Sequence, residues 1–352
     1  MKVLVLSNMS PKISAPLQGL FVDNQVQRLQ EVDKEIDYYK MKWNSDSLLC
    51  KLFKYPVFFL QFFIDIIFSR KEYALIHVHF YYPTIILAAC YKVFRNSSVK
   101  ITVTCHGSDV YLYSSPNVIY RKLSNWVDHW VFTSEQLRER FFKHVEPSSV
   151  LCAGYDDRIF MPRQIREEKK YDFIQIGTLN YNKGIDRFLY LVDKFPNKQF
   201  LLIGEGPLKS TIITASERYS NLVYMAKQPP VHLANYIHES KFLLSLSRNE
   251  SFGLTITEAH ACGVPCIATV TDGSLAQIND EPRLVSQVDM TEQAVLNSLE
   301  SVIRNVSSKN DSDYAQLSSV VINETAEFSL TYIAKKTLDQ YANQLGMNSD
   351  AE

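Results

Sequence analysis

Two glutamates, Glu250 and Glu258, stand with seven residues between them at a predicted strand-to-helix junction. The apolar run 242–246 before them predicts a buried strand, because short continuous apolar runs are typical of strands covered on both faces. The run 254–262 predicts a helix that ends at Gly263. Glu250 then lies in the loop before this helix, and Glu258 lies about one turn inside it.

The helix start between the two glutamates is suited to an anion. The backbone N–H groups of Gly253, Leu254 and Thr255 have no acceptor within the helix, and the helix dipole favours negative charge there. Two carboxylates beside an anion site predict a ligand that carries hydroxyl groups on both sides of a diphosphate, and a sugar nucleotide fits that description. The alternative is an ordinary strand–helix unit in which Glu250 and Glu258 bind nothing.

Two further side chains stand where chemistry on such a ligand would need them. Lys183 lies between Gly177 and Gly184 on a predicted strand-to-helix turn, where its charge would stabilise a phosphate. His106 follows a predicted strand and precedes Gly107, so we expect it at the carboxyl edge of a sheet. The alternatives are a solvated lysine and a structural histidine.

The chain alternates predicted strands and helices, which indicates an α/β fold with parallel sheets. Its 352 residues are enough for two domains with separate cores. The charged stretch 163–170 has no core pattern and divides the strands into two groups. The first group is 3–6, 76–80, 101–105 and 130–133. The second group is 173–177, 200–204, 222–225, 242–245 and 266–269.

Five segments carry motifs in a specific order: 105–109, 152–162, 177–184, 203–208 and 250–258. They resemble the His-Gly-x-Asp loop, the Pro-Asn-Gly-Val-Asp segment, the Gly-Arg-Leu…Lys-Gly turn, the Gly-x-Gly-Pro turn and the glutamate–seven–glutamate signature of one family. That family is family 4 of the retaining GT-B glycosyltransferases, the glycosyl transferases group 1. The resemblance covers nearly the whole chain.

The resemblance implies a GT-B architecture, with two Rossmann-like parallel-sheet domains that face each other across a cleft. We expect an acceptor domain at 1–162, a sugar-nucleotide domain at 171–325, and a helix at 326–345 that returns to the N-terminal domain. The implied reaction is metal-independent glycosyl transfer with retention. Its donor would be a UDP- or GDP-linked sugar, which is a substrate, and no cofactor is implied.

The same resemblance implies roles for single residues. Catalytic roles fall to His106 near the reacting carbon, to Lys183 at the leaving diphosphate and to Glu250 at hydroxyls of the transferred sugar. Glu258 would bind the two ribose hydroxyls. The predicted donor-binding residues are Gly19, Gly107, Asp109, Gly177, Thr178, Gly253, Leu254, Thr255 and Glu258.

Thr178 departs from the family pattern, which usually has arginine directly after the first glycine of this turn. Arginine can bind a diphosphate through two parallel hydrogen bonds, whereas threonine offers one hydroxyl and no charge. Either another cation replaces it, with Arg158 and Arg248 as candidates, or catalysis is weak. Two alternative functions stay open: a GT-B sugar-nucleotide epimerase, and a degenerate module that binds a nucleotide sugar without turnover.

Composition argues against several other functions. The formal net charge is −1, so no global basic field indicates nucleic acid. Six cysteines in mostly apolar surroundings favour reduced thiols in a cytoplasmic protein, and the run 1–7 is too short for a signal peptide. His77 with His79, and His260 with the nearby cysteines, lack the further ligands of a metal site.

The run 55–68, from Tyr55 to Phe68, is apolar and aromatic on nearly every face. It is shorter than the roughly 20 residues that span a bilayer, and Asp65 interrupts it. Two interpretations remain open: a buried or half-buried helix, and an interfacial helix at the inner face of the cytoplasmic membrane. The second would serve a glycan or lipid-linked acceptor in cell-surface polysaccharide synthesis. The flanking cations that would attract anionic lipid are Lys51, Lys54, Arg70 and Lys71.

Overall fold

The computed structural model describes residues 2–10, 18–113, 115–163, 169–279 and 281–347. The chain divides into two compact units. The first unit contains the chain up to Gly154 and again from Leu330 onward, and the second unit contains Tyr155–Ser329.

Strands and helices alternate through most of the described chain. The strands are β1 (Val3–Ser7), β2 (Ile36–Lys40), β3 (Leu75–His79), β4 (Lys100–Cys105), β5 (His129–Phe132), β6 (Ser148–Val150), β7 (Tyr171–Ile176), β8 (Phe200–Ile203), β9 (Leu222–Met225), β10 (Ser240–Ser245), β11 (Cys266–Thr269) and β12 (Leu284–Val285). The helices are α1 (Leu20–Val32), α2 (Leu48–Phe62), α3 (Tyr81–Phe94), α4 (Ser108–Tyr111), α5 (Val118–Leu123), α6 (Glu135–Glu139), α7 (Ile185–Lys194), α8 (Lys209–Arg218), α9 (Pro230–His238), α10 (Leu254–Ala261), α11 (Asp272–Leu275), α12 (Glu292–Ser307), α13 (Asp311–Thr325) and α14 (Leu330–Gln344).

The first unit is built on a parallel sheet whose described strands run in the order β2-β1-β3-β4-β5-β6. Strands β1 and β3 are buried along their whole length because helices cover both faces of the sheet. The C-terminal helix α14 packs in this unit, where Tyr341 Oη lies 2.5 Å from Nδ1 of His77. Strand β1 has β2 on one side and β3 on the other, so the order of the strands reverses beside it.

The second unit has a parallel sheet in the order β12-β11-β10-β7-β8-β9 within the described residues. The strand order reverses between β10 and β7, which are hydrogen-bonded neighbours with Phe242 opposite Phe173. In open α/β sheets, ligands bind beyond the carboxyl ends of the strands at such a reversal. The α/β class predicted from the sequence, with two parallel sheets, is confirmed.

Three strands of the described sheets, β2, β6 and β12, are absent from the sequence-based prediction. Each is an edge strand that has only one neighbour. An edge strand needs apolar side chains on fewer positions, and β6 accordingly has the sequence Ser-Ser-Val with all three residues only partly buried. A search for continuous apolar runs therefore misses them.

The run 55–68 forms the second half of α2 and a π-helical turn, Phe63–Ile67. One face packs into the core of the first unit through Phe58, Phe62 and Ile66. The opposite face is apolar too, yet it is exposed. Its side chains with half or more of their surface exposed are Leu48, Leu49, Leu52, Phe53, Leu60, Ile64 and, just after the turn, Phe68. The segment is a half-buried helix, which leaves the interfacial interpretation open.

Within the described residues, none of the helices combines the length and the apolarity that crossing a bilayer requires.

The two faces of α2 should respond differently to the same chemical change. Replacing Phe58 and Phe62 with Ser should destabilise the first unit severely, since truncating one buried Phe costs roughly 3–5 kcal/mol. Replacing Leu60 and Ile64 with Ser is the matched control and should change the free energy of unfolding by about 0.5 kcal/mol or less per site. Urea denaturation followed by circular dichroism measures both. Equal losses in the two double variants would contradict the assignment of faces.

Candidate active site

Two loops of the second unit meet beyond the neighbouring strands β7 and β10. The loop after β7 carries Lys183, and the loop after β10 carries Glu250. Backbone and side-chain hydrogen bonds join them: Arg248 N–H donates to Asn182 O at 2.7 Å, and Asn182 Nδ2 donates to Asn249 O at 3.1 Å. The loops therefore form one surface at the strand-order reversal.

Lys183 and Glu250 form an ion pair on this surface, with the lysine Nζ donating to the Glu250 carboxylate. Their side chains are 29% and 18% exposed, so a ligand can reach both. The Lys183 backbone is held on both sides, because its N–H donates to Asn180 Oδ1 at 2.9 Å and its carbonyl accepts from Gln175 Nε2 at 2.7 Å. Two of the three predicted catalytic residues thus lie in direct contact.

Gly253 places α10 directly behind Glu250. Its φ is +82°, in the left-handed region that favours glycine, and a Cβ there would lie 3.1 Å from Cγ of Glu250. Leu254 and Thr255 follow as the first residues of α10, and all three are partly exposed. The helix N-terminus therefore opens next to the ion pair.

Glu258 lies one turn further along α10 and is only partly exposed. Burial raises the pKa of its carboxyl from 4.5 to about 8. In the protein without ligand, Glu258 therefore keeps its proton at neutral pH. A hydrogen-bonding ligand that favours the ionised form has to displace that proton.

Thr178, the residue that replaces the usual arginine, is exposed on the loop after Gly177. Arg248, one of the two candidates for the missing cation, has its guanidinium paired with other groups of the second unit. It binds both carboxylate oxygens of Asp186 at 3.0 and 2.8 Å and covers the Tyr181 ring at 3.7 Å from the centroid. Whether Arg248 replaces the arginine when a donor is bound stays a prediction.

In the first unit, His106 and Gly107 follow β4, and Asp109 lies beneath them. The Asp109 carboxylate accepts from the backbone N–H groups of His106 at 2.9 Å, Gly107 at 3.0 Å and Tyr81 at 3.0 Å. With only 4% exposure, Asp109 has the position of a loop anchor. Its predicted donor-binding role stays a prediction, and its geometry is that of a residue that orients His106 and Gly107.

Aromatic rings surround the His106 side chain. Phe21 lies 5.0 Å and Phe80 4.6 Å from it, measured between ring centroids. Phe21 is the second residue of α1, which begins after Gly19, so the predicted glycine loop and His106 belong to the same neighbourhood. Burial lowers the pKa of His106 well below its usual range, which favours the neutral ring.

Sequence reasoning missed the residues that hold these loops in place. Gln175 and Asn180 fix the backbone of Lys183, and Gln277 donates to the carbonyl of Phe252 just before Gly253. For Gln175 and Asn180 the available signal was proximity, since they lie beside Gly177 and Thr178, whereas Gln277 is far from the predicted site residues in sequence. Amides in such positions occur widely, so the signal alone is weak. Across the described chain, no group of three or more His, Cys, Asp or Glu side chains is arranged to hold a metal ion.

Comparison with family models identifies both parts of the chain. Residues 45–158 match the model described as Glycosyltransferase Family 4, and residues 156–316 match the model described as Glycosyl transferases group 1.

Curated relatives belong to the same group. The chain is 28% identical to the N-acetyl-alpha-D-glucosaminyl L-malate synthase of Bacillus anthracis, with 70% of this chain and 69% of the relative covered. It is 23% identical to an uncharacterized glycosyltransferase of Methanocaldococcus jannaschii, with 77% and 81% covered.

Solved structures share the fold. Sucrose-phosphate synthase from Thermosynechococcus elongatus aligns with a TM-score of 0.73 at 17% identity, covering 99% of this chain and all of that one. Anabaena HepE in complex with UDP-glucose aligns with a TM-score of 0.73 at 12% identity, covering 97% and 100%. The chain therefore belongs to the glycosyl transferases group 1, the family 4 glycosyltransferases, and has their GT-B fold.

Proposed function

We propose that this glycosyltransferase moves a sugar from a UDP- or GDP-linked donor to a glycan or lipid-linked acceptor, with retention and without a metal. The observation that carries the proposal is the Lys183–Glu250 ion pair beside the start of α10. Together, the ion pair and the start of α10 place a cation, a carboxylate and backbone N–H donors on one accessible surface, where the strand order of the second unit reverses.

Transfer breaks the bond between the sugar and the diphosphate, so negative charge grows on the leaving group. Lys183 would stabilise that charge directly, and the N–H groups at the start of α10 would do so through fixed dipoles. A site with such donors does not need a divalent ion for this step. Retention enters the proposal through the resemblance of residues 250–258 to the signature of the retaining family.

The hydroxyl groups of the donor would donate hydrogen bonds to Glu250 and Glu258. Glu250, freed from Lys183 when the diphosphate binds that lysine, would accept hydrogen bonds from the transferred sugar. Glu258 would accept from both ribose hydroxyls, since the two oxygens of a carboxylate accept simultaneously. His106 is neutral and would contribute a hydrogen bond to the sugar.

The relatives are consistent with this donor class. The Bacillus anthracis relative is named as an N-acetyl-alpha-D-glucosaminyl L-malate synthase, and the HepE structures contain UDP or UDP-glucose. Cell-surface polysaccharide synthesis is the pathway that we propose for the acceptor. We propose a cytoplasmic location, since the mostly buried surroundings of the six cysteines favour reduced thiols.

Removing the charge of Lys183 should reduce turnover more than about a hundredfold, the order of magnitude that follows from loss of one preorganised charge-stabilising donor. Lys183→Ala is compared with Lys194→Ala, which removes an exposed cation of the same unit. Assays with UDP- and GDP-sugars run with and without excess EDTA, and wild-type turnover should be the same in both. Full activity of Lys183→Ala would refute the diphosphate site, and loss in EDTA that magnesium restores would refute metal independence.

The same assay separates the alternative functions. Product analysis by NMR distinguishes transfer with retention from epimerisation of the donor sugar. A chain that is stabilised by a nucleotide sugar but neither transfers nor slowly hydrolyses it would be a degenerate binding module.

Donor binding should strengthen as pH rises, because of Glu258. Its raised pKa of about 8 means that the donor-free protein holds the proton at lower pH. Ribose hydroxyls favour the ionised carboxylate, so binding below that pH releases a proton. Affinity should rise by up to about tenfold per pH unit from pH 6 and level off above pH 8. Calorimetry on wild type and on Glu258→Gln, which lacks the titrating group, measures this. An identical pH dependence in both proteins would exclude Glu258 as its source.

The exposed apolar face of α2 supports a membrane-bound acceptor. Seven large apolar side chains would contact water there if the face stayed uncovered. Asp65 is exposed on the same segment, and its carboxylate accepts from Tyr39 Oη at 3.3 Å. Lys51 and Arg70 are exposed at the two ends of the segment and carry the charge that anionic lipid attracts. We propose an anionic bilayer surface as the occupant.

Vesicle binding should depend on this face and on salt. Wild type should co-sediment with vesicles that contain phosphatidylglycerol and bind phosphatidylcholine vesicles only weakly. It should dissociate from the anionic vesicles as the salt concentration rises above about 0.1 M, where the screening length falls below roughly 10 Å. Phe53→Ser with Leu60→Ser and Ile64→Ser should abolish binding while the protein stays folded.

The matched control replaces three exposed apolar residues of the second unit, Ile213, Val231 and Val288, with Ser. It should bind vesicles like wild type. Binding that survives in the α2 triple variant would refute the surface. If wild type is a dimer that does not bind vesicles, and the α2 triple variant is a monomer, then a second copy of the chain covers the face instead.

A further inference from the structure

A second histidine of the first unit, His79, lies directly behind His106. His79 is the last residue of β3, and β4, the neighbouring strand, leads into His106. His79 Nδ1 lies 3.0 Å from His106 Nε2. The ring planes differ by 16° with centroids 5.2 Å apart. Nearly coplanar rings at that separation share a hydrogen bond in the ring plane.

Both rings are uncharged, so exactly one proton is available for this hydrogen bond from one side or the other. Burial lowers the pKa of His79 to about 3 and that of His106 well below its usual range. If His79 donates from Nδ1, then His106 carries its proton on Nδ1. If His106 donates from Nε2, then His79 carries its proton on Nε2.

The environment of His79 Nε2 decides between the two. This atom is fully buried and has no hydrogen-bond partner among the described residues. A proton on it would be a buried N–H donor without an acceptor, and such donors are rarer and costlier than an unused acceptor lone pair. The proton of His79 therefore belongs on Nδ1, where it has an acceptor.

The surroundings leave the His106 ring little freedom to avoid this partner. Phe21 and Phe80 contact it, and Phe80 has a φ of +66°, which is strained for a residue with a side chain. Asp109 fixes the backbone below the ring. The direction of the His79–His106 hydrogen bond decides which nitrogen of the neutral His106 ring carries hydrogen.

We propose that His79 is a positioning residue that holds His106 as the Nδ1–H tautomer, so that His106 presents a hydrogen-bond donor to an oxygen of the transferred sugar. The second half of this statement rests on the proposed function, whereas the first half concerns the donor-free protein. As the glycosyl–phosphate bond stretches, its electrons pass to the leaving phosphate oxygen and the sugar becomes electron-poor. The N–H of His106 would therefore position a hydroxyl oxygen of the sugar by hydrogen bonding and would not stabilise developing charge on it.

The tautomer can be measured without any substrate. Protein labelled with 15N-histidine gives long-range 1H–15N correlations whose pattern distinguishes Nδ1–H from Nε2–H, and His106→Asn identifies the His106 signals by their loss. Wild type should have the Nδ1–H pattern at His106. A wild-type Nε2–H pattern would overturn the proposal whatever the activity of the protein.

Two substitutions of His79 test its role. Asparagine keeps an N–H donor near the position of Nδ1, whereas leucine fills the space without one. His79→Leu should lose the single Nδ1–H pattern of His106 and lower kcat about 10- to 100-fold, as loss of orienting partners does at other histidines. His79→Asn should restore both. His77→Leu removes a buried imidazole of the same strand that does not bond to His106, and should leave the tautomer unchanged.

Leucine and asparagine variants with equal kcat and equal spectra would overturn the positioning role. Correct tautomers in a protein that turns over no nucleotide sugar would instead refute the proposed function and leave the role of His79 intact. The two failures are therefore distinguishable.

Discussion

The loop that carries Glu250 depends on one carboxylate, Glu292, which binds two arginines. Arg187, only 3% exposed, donates to both Glu292 oxygens at 2.7 and 3.0 Å, and Arg248 donates to the same group at 2.9 Å. Arg187 also donates to the Leu246 carbonyl at 3.2 Å. A buried guanidinium without a counter-ion is costly, so this network is stable only when the loop and α12 are both in place. The position of Glu250 is thereby tied to the fold of the second unit.

Both units use the same principle with different chemistry. In each, parallel strands bring loops that are distant in sequence to one edge of the sheet, where the strand order reverses. The second unit gathers charge there, in Lys183 and Glu250. The first unit gathers aromatic and imidazole rings around His106, and burial there lowers the pKa of His106 well below its usual range. A cation such as Lys183 is stabilised at the edge of the second unit's sheet, whereas a protonated His106 is disfavoured in the first unit.

The central strands and the candidate site loops were predictable because their signals are local. Continuous apolar runs mark buried strands, and glycines beside Lys183 and before α10 mark the turns. Three of the four described edge strands, β2, β6 and β12, were missed because partial burial requires no apolar run, whereas the fourth, β9, has such a run and was predicted. The commitment of Arg248 to Asp186, and the packing of His79 on His106, depend on pairs far apart in sequence. No local sequence pattern indicates which arginine or lysine near the site already forms an ion pair with a carboxylate. For α2, the sequence did not indicate which face is buried, because apolar residues lie on nearly every side of the helix.

The ion pair between Lys183 and Glu250 also bears on selectivity. In the donor-free protein each side chain already neutralises the other, so the pair offers no unsatisfied charge to a passing anion. Inorganic phosphate that captured Lys183 would strand Glu250 without a partner in a half-enclosed site. A nucleotide sugar, the proposed donor, would bring a diphosphate for the lysine and hydroxyls for the glutamate, and so would replace both halves of the pair at once. Under the proposed function, Glu250 would thus compete with inorganic phosphate for Lys183 and so favour a ligand that engages both side chains.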